Sequence, residues 1–173
     1  ENECGKSTVL DAIKYAFTGD TDFNKASSAT RIGTGRRTLA SYTRCLIDPD
    51  TRKYARPSSI YPNVYTHIAL EYHNELYDTY FVLGVILETN SSDNVDNYWY
   101  SLENKTLKNI SFFNEVEGNK YVLSSKQFRD KNKAEILNKN NGVVKFMTMT
   151  GLKLQSEGIT KYQRKLKSIM TYN

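Results

Sequence analysis

The sequence predicts a mixed α/β fold in which a single helix, an antiparallel β-lobe and a set of basic helices follow one another. Apolar residues recur at helical spacing over residues 9–17, and residues 64–123 form short β-rich runs separated by turns. From residue 124 the chain becomes helical and basic. The 173 residues are 39% hydrophobic and 25% charged, which is typical of a globular protein and excludes a disordered or fibrous chain.

Composition also bears on location. The longest wholly apolar run, residues 81–87, is far shorter than the ~20 residues of a membrane-spanning helix, and no basic-then-apolar leader opens the chain. The two cysteines, Cys4 and Cys45, are too few for a disulfide scaffold, which favours a reducing compartment. We therefore expect a cytoplasmic protein without a membrane partner. The first residue is Glu1 rather than methionine, so we expect the natural start to lie upstream.

The chain opens on the second half of a phosphate-binding loop. Gly5, Lys6 and Ser7 match the last positions of the pattern G-x-x-x-x-G-K-[ST], and we expect its first glycine and the preceding strand to lie before Glu1. An amphipathic helix follows and is predicted to end at Gly19. A loop that leads into a helix is the structural context that this motif requires.

The residue types suit the binding of a phosphate. Gly5 lets the backbone approach the anion closely, and the N–H groups from Glu3 to Thr8 can point inward at the start of the helix. Lys6 can reach the β- and γ-phosphates, and the Ser7 hydroxyl can ligate Mg²⁺. Cys4 is either a small residue that contributes only its backbone to the loop, which is the simpler interpretation, or a redox-sensitive thiol at a helix N-terminus.

Residues 20–63 are predicted to form a connector that is rich in turn-forming residues. Residues 36–47 could form a short helix or a strand. Four arginines of this connector lie within reach, in sequence, of a phosphate site: Arg31, Arg36, Arg37 and Arg44. For any one of them, a solvated surface position with surface ion pairs is the better interpretation.

Residues 64–123 predict an antiparallel β-meander. The predicted strands are residues 64–72, 76–88, 98–102, 110–113 and 121–123, with a first turn at residues 73–75. Residues 85–88 resemble a Walker B strand that ends in a carboxylate, but we reject that interpretation because Walker B lies on a parallel strand. His67 and His73 lack partners at ligand spacing, so they predict no metal site.

Residues 124–173 are predicted to be helical and basic. The better helices cover residues 127–137 and 162–170, with interruptions at residues 140–142 and at Gly151. Residues 1–104 hold ten Lys or Arg and 14 Asp or Glu, a net charge of −4, whereas residues 105–173 hold 14 and five, a net charge of +9. This asymmetry favours nucleic-acid binding by the basic half, although a solvated lysine-rich surface explains it equally well.

The order of these parts resembles an ABC-type ATPase head that a long insertion splits, and the motifs resemble the N-terminal head segment of the SMC family. Within it, the chain is similar to the MukB-like ATPase subunits of the Wadjet plasmid-defence system (JetC, also MksF or EptC). The resemblance to the SMC family is carried by Asn2 and by residues 5–8 and 10–13. The similarity to the MukB-like subunits is carried by residues 23–26, 39–44, 65–72 and 81–85. It covers residues 1–90 well and the remainder weakly.

The resemblance implies a division into residues 1–123, the N-terminal half of the ATPase head, and residues 124–173, a basic helical segment that leads toward a coiled coil. Within the first part lie the loop and helix (1–19), the connector (20–63) and the β-lobe (64–123). The implied nucleotide-binding residues are Asn2, Glu3, Cys4, Gly5, Lys6, Ser7 and Thr8, with Ser7 on Mg²⁺. Gln127 is the nearest candidate for the family's glutamine that contacts Mg²⁺ and the attacking water.

The resemblance further implies ATP and Mg²⁺ as cofactors, and DNA, a second ATPase head, kleisin-like and accessory subunits as partners, at a DNA-associated site in the nucleoid. The family's signature motif and Walker B pair belong to the C-terminal half of the head and are not found here. We therefore expect the full-length protein to hydrolyse ATP and this segment alone to bind nucleotide at most. Two alternatives stay open: the P-loop ATPase of a DNA-repair nuclease complex, and a non-enzymatic DNA-binding module.

Overall fold

A computed structural model describes residues 6–21, 38–48 and 50–150, with side chains from Thr8 onward in the first helix. Its helices are α1 (Lys6–Thr18), α2 (Leu39–Thr43), α3 (Ser125–Asn132) and α4 (Lys139–Met149). Its strands are β1 (Leu46–Asp48), β2 (Lys53–Tyr54), β3 (Val64–Asn74), β4 (Thr79–Thr89), β5 (Val95–Glu103), β6 (Phe113–Val116), β7 (Asn119–Val122) and β8 (Glu135–Leu137). The predicted mixed fold with antiparallel strands is confirmed.

The centre of the described structure is a four-stranded sheet with strand order β3-β4-β5-β8. Every neighbouring pair in it is antiparallel, and Val85 of β4 lies opposite both Ile68 of β3 and Trp99 of β5. Two short hairpins, β1-β2 and β6-β7, form separate two-stranded sheets.

Both faces of this sheet are covered, which explains the continuous apolar run in β4. Leu83, Val85 and Leu87 point to one face, where they pack with α1 and α4, while Val82 and Ile86 point to the other face. Since successive side chains of a strand alternate between faces, a central strand buried on both sides must be apolar throughout. The seven-residue run therefore marks the most buried strand of the sheet.

The predicted first helix is confirmed at both ends. α1 begins at Lys6 and ends at Thr18, and Gly19 follows with a φ of +63°. The Gly19 N–H donates to the carbonyl of Tyr15 at 2.7 Å. This left-handed cap is the conformation that favours glycine after a helix. The segment 36–47 contains both of the predicted alternatives, because α2 is followed by β1.

The first strand of the hairpin is longer than predicted, and the second begins at Thr79, three residues after its predicted start. β3 continues through residues 73 and 74, and the turn occupies residues 75–78. The Asn74 carboxamide accepts from the backbone N–H groups of Leu76 and Tyr77 at 3.1 and 3.4 Å, and His73 stacks on Tyr80 across the strands. With these contacts the turn starts at residue 75, two residues beyond its predicted start at residue 73.

Several elements after β4 have other bounds than the sequence predicts. Strand 98–102 is confirmed within β5, but residues 110–112 are not a strand: Ile110 is buried after a 3₁₀ turn, and β6 begins at Phe113. The predicted helix over residues 127–137 is wrong in its second half. The helix ends where Lys133 adopts a φ of +58°, and residues 135–137 pair with β5 as β8.

The predicted interruption at residues 140–142 is also wrong, because these residues form the first turn of α4. The Asn138 side chain caps this helix by accepting from the Asn141 N–H at 2.9 Å. Gly142 lies against the Trp99 side chain, where a larger residue would not fit. A glycine that a sequence pattern treats as a breaker is here selected by close packing.

Candidate nucleotide-binding site

The start of α1 carries the predicted phosphate-binding residues. Lys6 and Ser7 occupy the first turn of this helix, and Thr8 follows with an exposed side chain. No acidic side chain lies in that turn, so nothing there opposes the partial positive charge of a helix N-terminus. The first turn of α1 therefore offers unpaired N–H groups and a partial positive charge, and the binding of a phosphate there stays a prediction. Asn2, Glu3, Cys4 and Gly5, together with the Lys6 and Ser7 side chains, lie outside what the structure describes.

The other end of α1 is anchored to the sheet by a tryptophan. The Trp99 indole N–H donates to the backbone carbonyl of Ala16 at 2.9 Å, in a fully buried position. The rings of Tyr15 and Trp99 lie 5.6 Å apart, and Phe17 packs edge-on against Phe146 of α4 at 5.2 Å. Burial raises the pKa of Tyr15 to about 12, so its hydroxyl stays neutral at physiological pH. These contacts hold the helix rigidly.

Helix α2 contacts the first turn of α1 directly. The Tyr42 hydroxyl donates to the backbone carbonyl of Thr8 at 3.0 Å, although 34 positions separate the two residues. Neither this contact nor the Trp99 cap was predicted from the sequence. No local pattern could have indicated them, since each joins a side chain to a backbone carbonyl far away along the chain.

Arg44 lies in a buried position, and the interpretation of this residue as a solvated surface arginine is wrong. Only 1% of its side chain is exposed, and its guanidinium donates to backbone carbonyls and to the Asp93 carboxylate. The carbonyl acceptors belong to Arg56, Tyr61, Pro62 and Asn90. Arg44 therefore fastens the connector to the turn after β4. Arg31, Arg36 and Arg37 lie outside the described residues.

Gln127 caps a helix and is not brought together with α1. Its side-chain carbonyl accepts from the Ser124 N–H at 3.0 Å, while the Ser124 hydroxyl accepts from the Gln127 N–H at 3.3 Å. This reciprocal pair is a capping box for α3. The next residue, Phe128, packs on the sheet face opposite to α1. The role of Gln127 toward Mg²⁺ stays a prediction.

The strand that resembled Walker B has a different role. β4 is antiparallel to both neighbours, as predicted, and Glu88 accepts from the Ser125 N–H at 2.6 Å. A carboxylate at the first turn of α3 stabilises that helix through its unpaired N–H groups and its dipole. Glu88 therefore holds α3 against the end of β4.

The two histidines have structural partners. His67 Nε2 lies 2.8 Å from the Leu123 carbonyl, and its ring packs against both Phe112 and Phe128. Burial lowers the pKa of His67 below its ordinary value. His73 contacts the Asp78 carboxylate at 2.9 Å. Across the described residues, no group of three or more His, Cys, Asp or Glu could hold a metal ion.

None of the helices among the described residues has both the length and the apolar character that a membrane span needs.

A family model described as an AAA domain matches residues 1–172. Searches of curated proteins and of solved structures find no match. Members of the AAA domain family are P-loop ATPases that generally use ATP and Mg²⁺. Because the match spans nearly the whole chain and the helix of the Gly-Lys-Ser-Thr motif begins where a P-loop requires, this chain belongs to the AAA domain family of ATP-binding P-loop ATPases.

Proposed function

We propose that this chain is the ATP-binding, N-terminal half of an SMC-like ATPase that moves DNA, in plasmid restriction or chromosome maintenance. The observation that carries the proposal is the start of α1 at Lys6, directly within the Gly-Lys-Ser-Thr motif of a chain that matches the AAA domain family throughout. The resemblance to MukB-like subunits supports the finer assignment.

In this proposal the first turn of α1 binds the triphosphate. The Lys6 ammonium pairs with the β- and γ-phosphates, and backbone N–H groups from Asn2 to Thr8 donate to their oxygens. The Ser7 hydroxyl holds Mg²⁺, which neutralises the charge that develops on the transferred phosphoryl group. The anchored helix supplies fixed donors, so little free energy is lost in ordering the site.

Hydrolysis requires a second head in this scheme. Each phosphate loop faces the signature motif of the partner head, and two ATP molecules lie between the heads. Residues 124–173 lead toward a coiled-coil arm, and kleisin-like and accessory subunits complete the complex. Basic surfaces of residues 105–173, with a net charge of +9, contact the phosphates of DNA.

The proposed nucleotide site is tested with Lys6→Ala in the full-length protein. We expect Mg·ATP binding, measured by isothermal titration calorimetry, to fall below detection, because the phosphates lose their cation. Lys120→Ala removes an exposed lysine of β7 and serves as the matched control, with unchanged affinity. Undiminished ATP affinity in Lys6→Ala would refute the proposed site.

The charge asymmetry favours a second candidate, a DNA-binding module in which nucleotide has no role. That function predicts steeply salt-dependent DNA binding by the basic half without any response to ATP. The SMC-like function instead predicts that ATP changes DNA retention. A filter-binding salt titration with and without ATP separates the two.

Association with a nuclease subunit in place of a kleisin-like subunit would favour an ATPase of DNA repair.

A further inference from the structure

The hydrogen bond from Tyr42 reaches the part of α1 that the proposed function places on the triphosphate. Its acceptor, the Thr8 carbonyl, belongs to the residue that follows Lys6 and Ser7. A shift of this carbonyl moves the whole first turn of the helix, because covalent bonds and the helical hydrogen bonds link the backbone atoms of one turn. The Tyr42 hydroxyl is therefore placed to set the position of that turn.

The Tyr42 side chain is itself well fixed. Its ring packs against the core cluster that α1, α4 and the sheet share. Helix α2 begins with a capping box in which the Ser41 N–H donates to the Thr38 hydroxyl at 3.1 Å and the Thr38 N–H donates to the Ser41 hydroxyl at 2.9 Å. These bonds define the start of a helix that is only five residues long.

The end of α2 is fastened to the sheet and to the connector. The hydroxyls of Thr43 and Thr89 lie 2.6 Å apart in a buried contact, which joins α2 to the last residue of β4. Arg44 follows and donates to the Asn90 carbonyl at 2.7 Å and to the Tyr61 carbonyl at 2.9 Å. Helix α2, which carries Tyr42, is therefore held by hydrogen bonds at both of its ends.

We propose that Tyr42 is a positioning residue of the nucleotide site, which holds the first turn of α1 in the geometry that binds Mg·ATP. This inference rests on the proposed function of Lys6 and Ser7. A bond made before the ligand arrives lowers the entropic cost of ordering the binding groups. Tyr42 acts through the Thr8 backbone and does not itself touch the nucleotide.

The test compares Tyr42→Phe with wild type in the full-length protein, because this change removes one oxygen atom and keeps the ring in the core. Tyr77→Phe is the matched control, since Tyr77 lies in the β3–β4 turn with 71% of its surface exposed. The measurements are the dissociation constant for ATP, the Mg²⁺ concentration at half-saturation and the melting temperature without nucleotide.

We expect Tyr42→Phe to weaken ATP binding and to raise the half-saturating Mg²⁺ concentration, each by about 2- to 10-fold, which is the range that one net hydrogen bond provides. The melting temperature without nucleotide should fall by no more than about 4 °C, which is the shift that the loss of one such bond allows, and Tyr77→Phe should match wild type throughout. Equal binding by Tyr42→Phe and wild type would overturn the inference. So would a lower melting temperature with unchanged Mg²⁺ dependence.

These outcomes are distinct from a failure of the proposed function. If Lys6→Ala binds ATP as tightly as wild type, or if wild type does not bind ATP, the nucleotide site itself is refuted, whatever Tyr42→Phe does. If Lys6→Ala abolishes binding while Tyr42→Phe leaves it unchanged, the site stands and only the positioning role of Tyr42 is refuted.

Discussion

The replacement Gly142→Ala sets helix propensity against packing. Gly142 lies inside α4, where alanine is the better helix former by about 1 kcal/mol. A Cβ atom at this position would overlap the Cβ and Cγ atoms of Trp99 and lie 2.5 Å from its Cδ1 atom. Trp99 is fully buried and donates to the Ala16 carbonyl, so its ring cannot shift without disturbing this bond or its buried neighbours.

The expected magnitude follows from these contacts. Overpacking a filled core costs about 1–3 kcal/mol, and a displaced indole leaves the buried Ala16 carbonyl without its donor at about 1–3 kcal/mol. The gain in helix propensity offsets about 1 kcal/mol. We therefore expect the free energy of unfolding to fall by about 3 kcal/mol, within a range of about 1–5 kcal/mol. The end of α1 is disturbed with it, because Trp99 caps that helix.

The assay is urea denaturation followed by the fluorescence of Trp99, the only tryptophan of the chain, and by far-UV circular dichroism. Coincident transitions establish the two-state behaviour that the comparison needs. Asn140→Ala, at an exposed position of the same helix turn, is the matched control and should be neutral or slightly stabilising. If Gly142→Ala is as stable as wild type or more so, the packing argument is refuted.

Two further changes test buried polar groups. Arg44→Lys should lower the free energy of unfolding by about 3 kcal/mol in urea denaturation, because an ammonium cannot replace the branched guanidinium that donates to several acceptors. The exposed control Arg52→Lys should change this free energy by less than about 0.5 kcal/mol. Similar losses in both variants would contradict the role of buried Arg44. Burial lowers the pKa of His67 in the folded chain, so its contribution to stability is present above about pH 6.5 and is lost as the pH falls below that value. The free energy of unfolding should therefore fall less between pH 7 and pH 5 in His67→Gln than in wild type or in His73→Gln. Parallel pH profiles for all three proteins would show that His67 does not cause the loss of stability at low pH.

The helix after the Gly-Lys-Ser-Thr motif, the β-lobe and its central strand were predictable because their signals are local. Helical spacing over residues 9–17 needs only a few neighbouring side chains, and Gly19 marks the end of the helix through its own φ preference. The apolar run of residues 81–87 likewise identified β4. The order of these elements, together with the motif, was sufficient to predict a P-loop ATPase.

Boundaries in the last third of the chain were predicted less well. Ser124 and Gln127 have the spacing of a capping box, a local signal for the start of α3, but the conformation of Lys133 ends the helix early. Residues 135–137 become a strand because β5 offers an unpaired edge, and three residues are too few for any periodicity to reveal this. Pairing with a distant strand overrode the helical pattern.

The sequence by itself determined the fold class, the phosphate-binding motif and the helix on which it continues. Only the tertiary structure decided that Arg44 is buried, that Trp99 caps α1 and that Tyr42 reaches Thr8. The physical reason is the range of the interactions. Helix and turn signals act within a few residues, whereas each of these contacts joins groups far apart along the chain, and the backbone carbonyls that accept these bonds are common to all residue types.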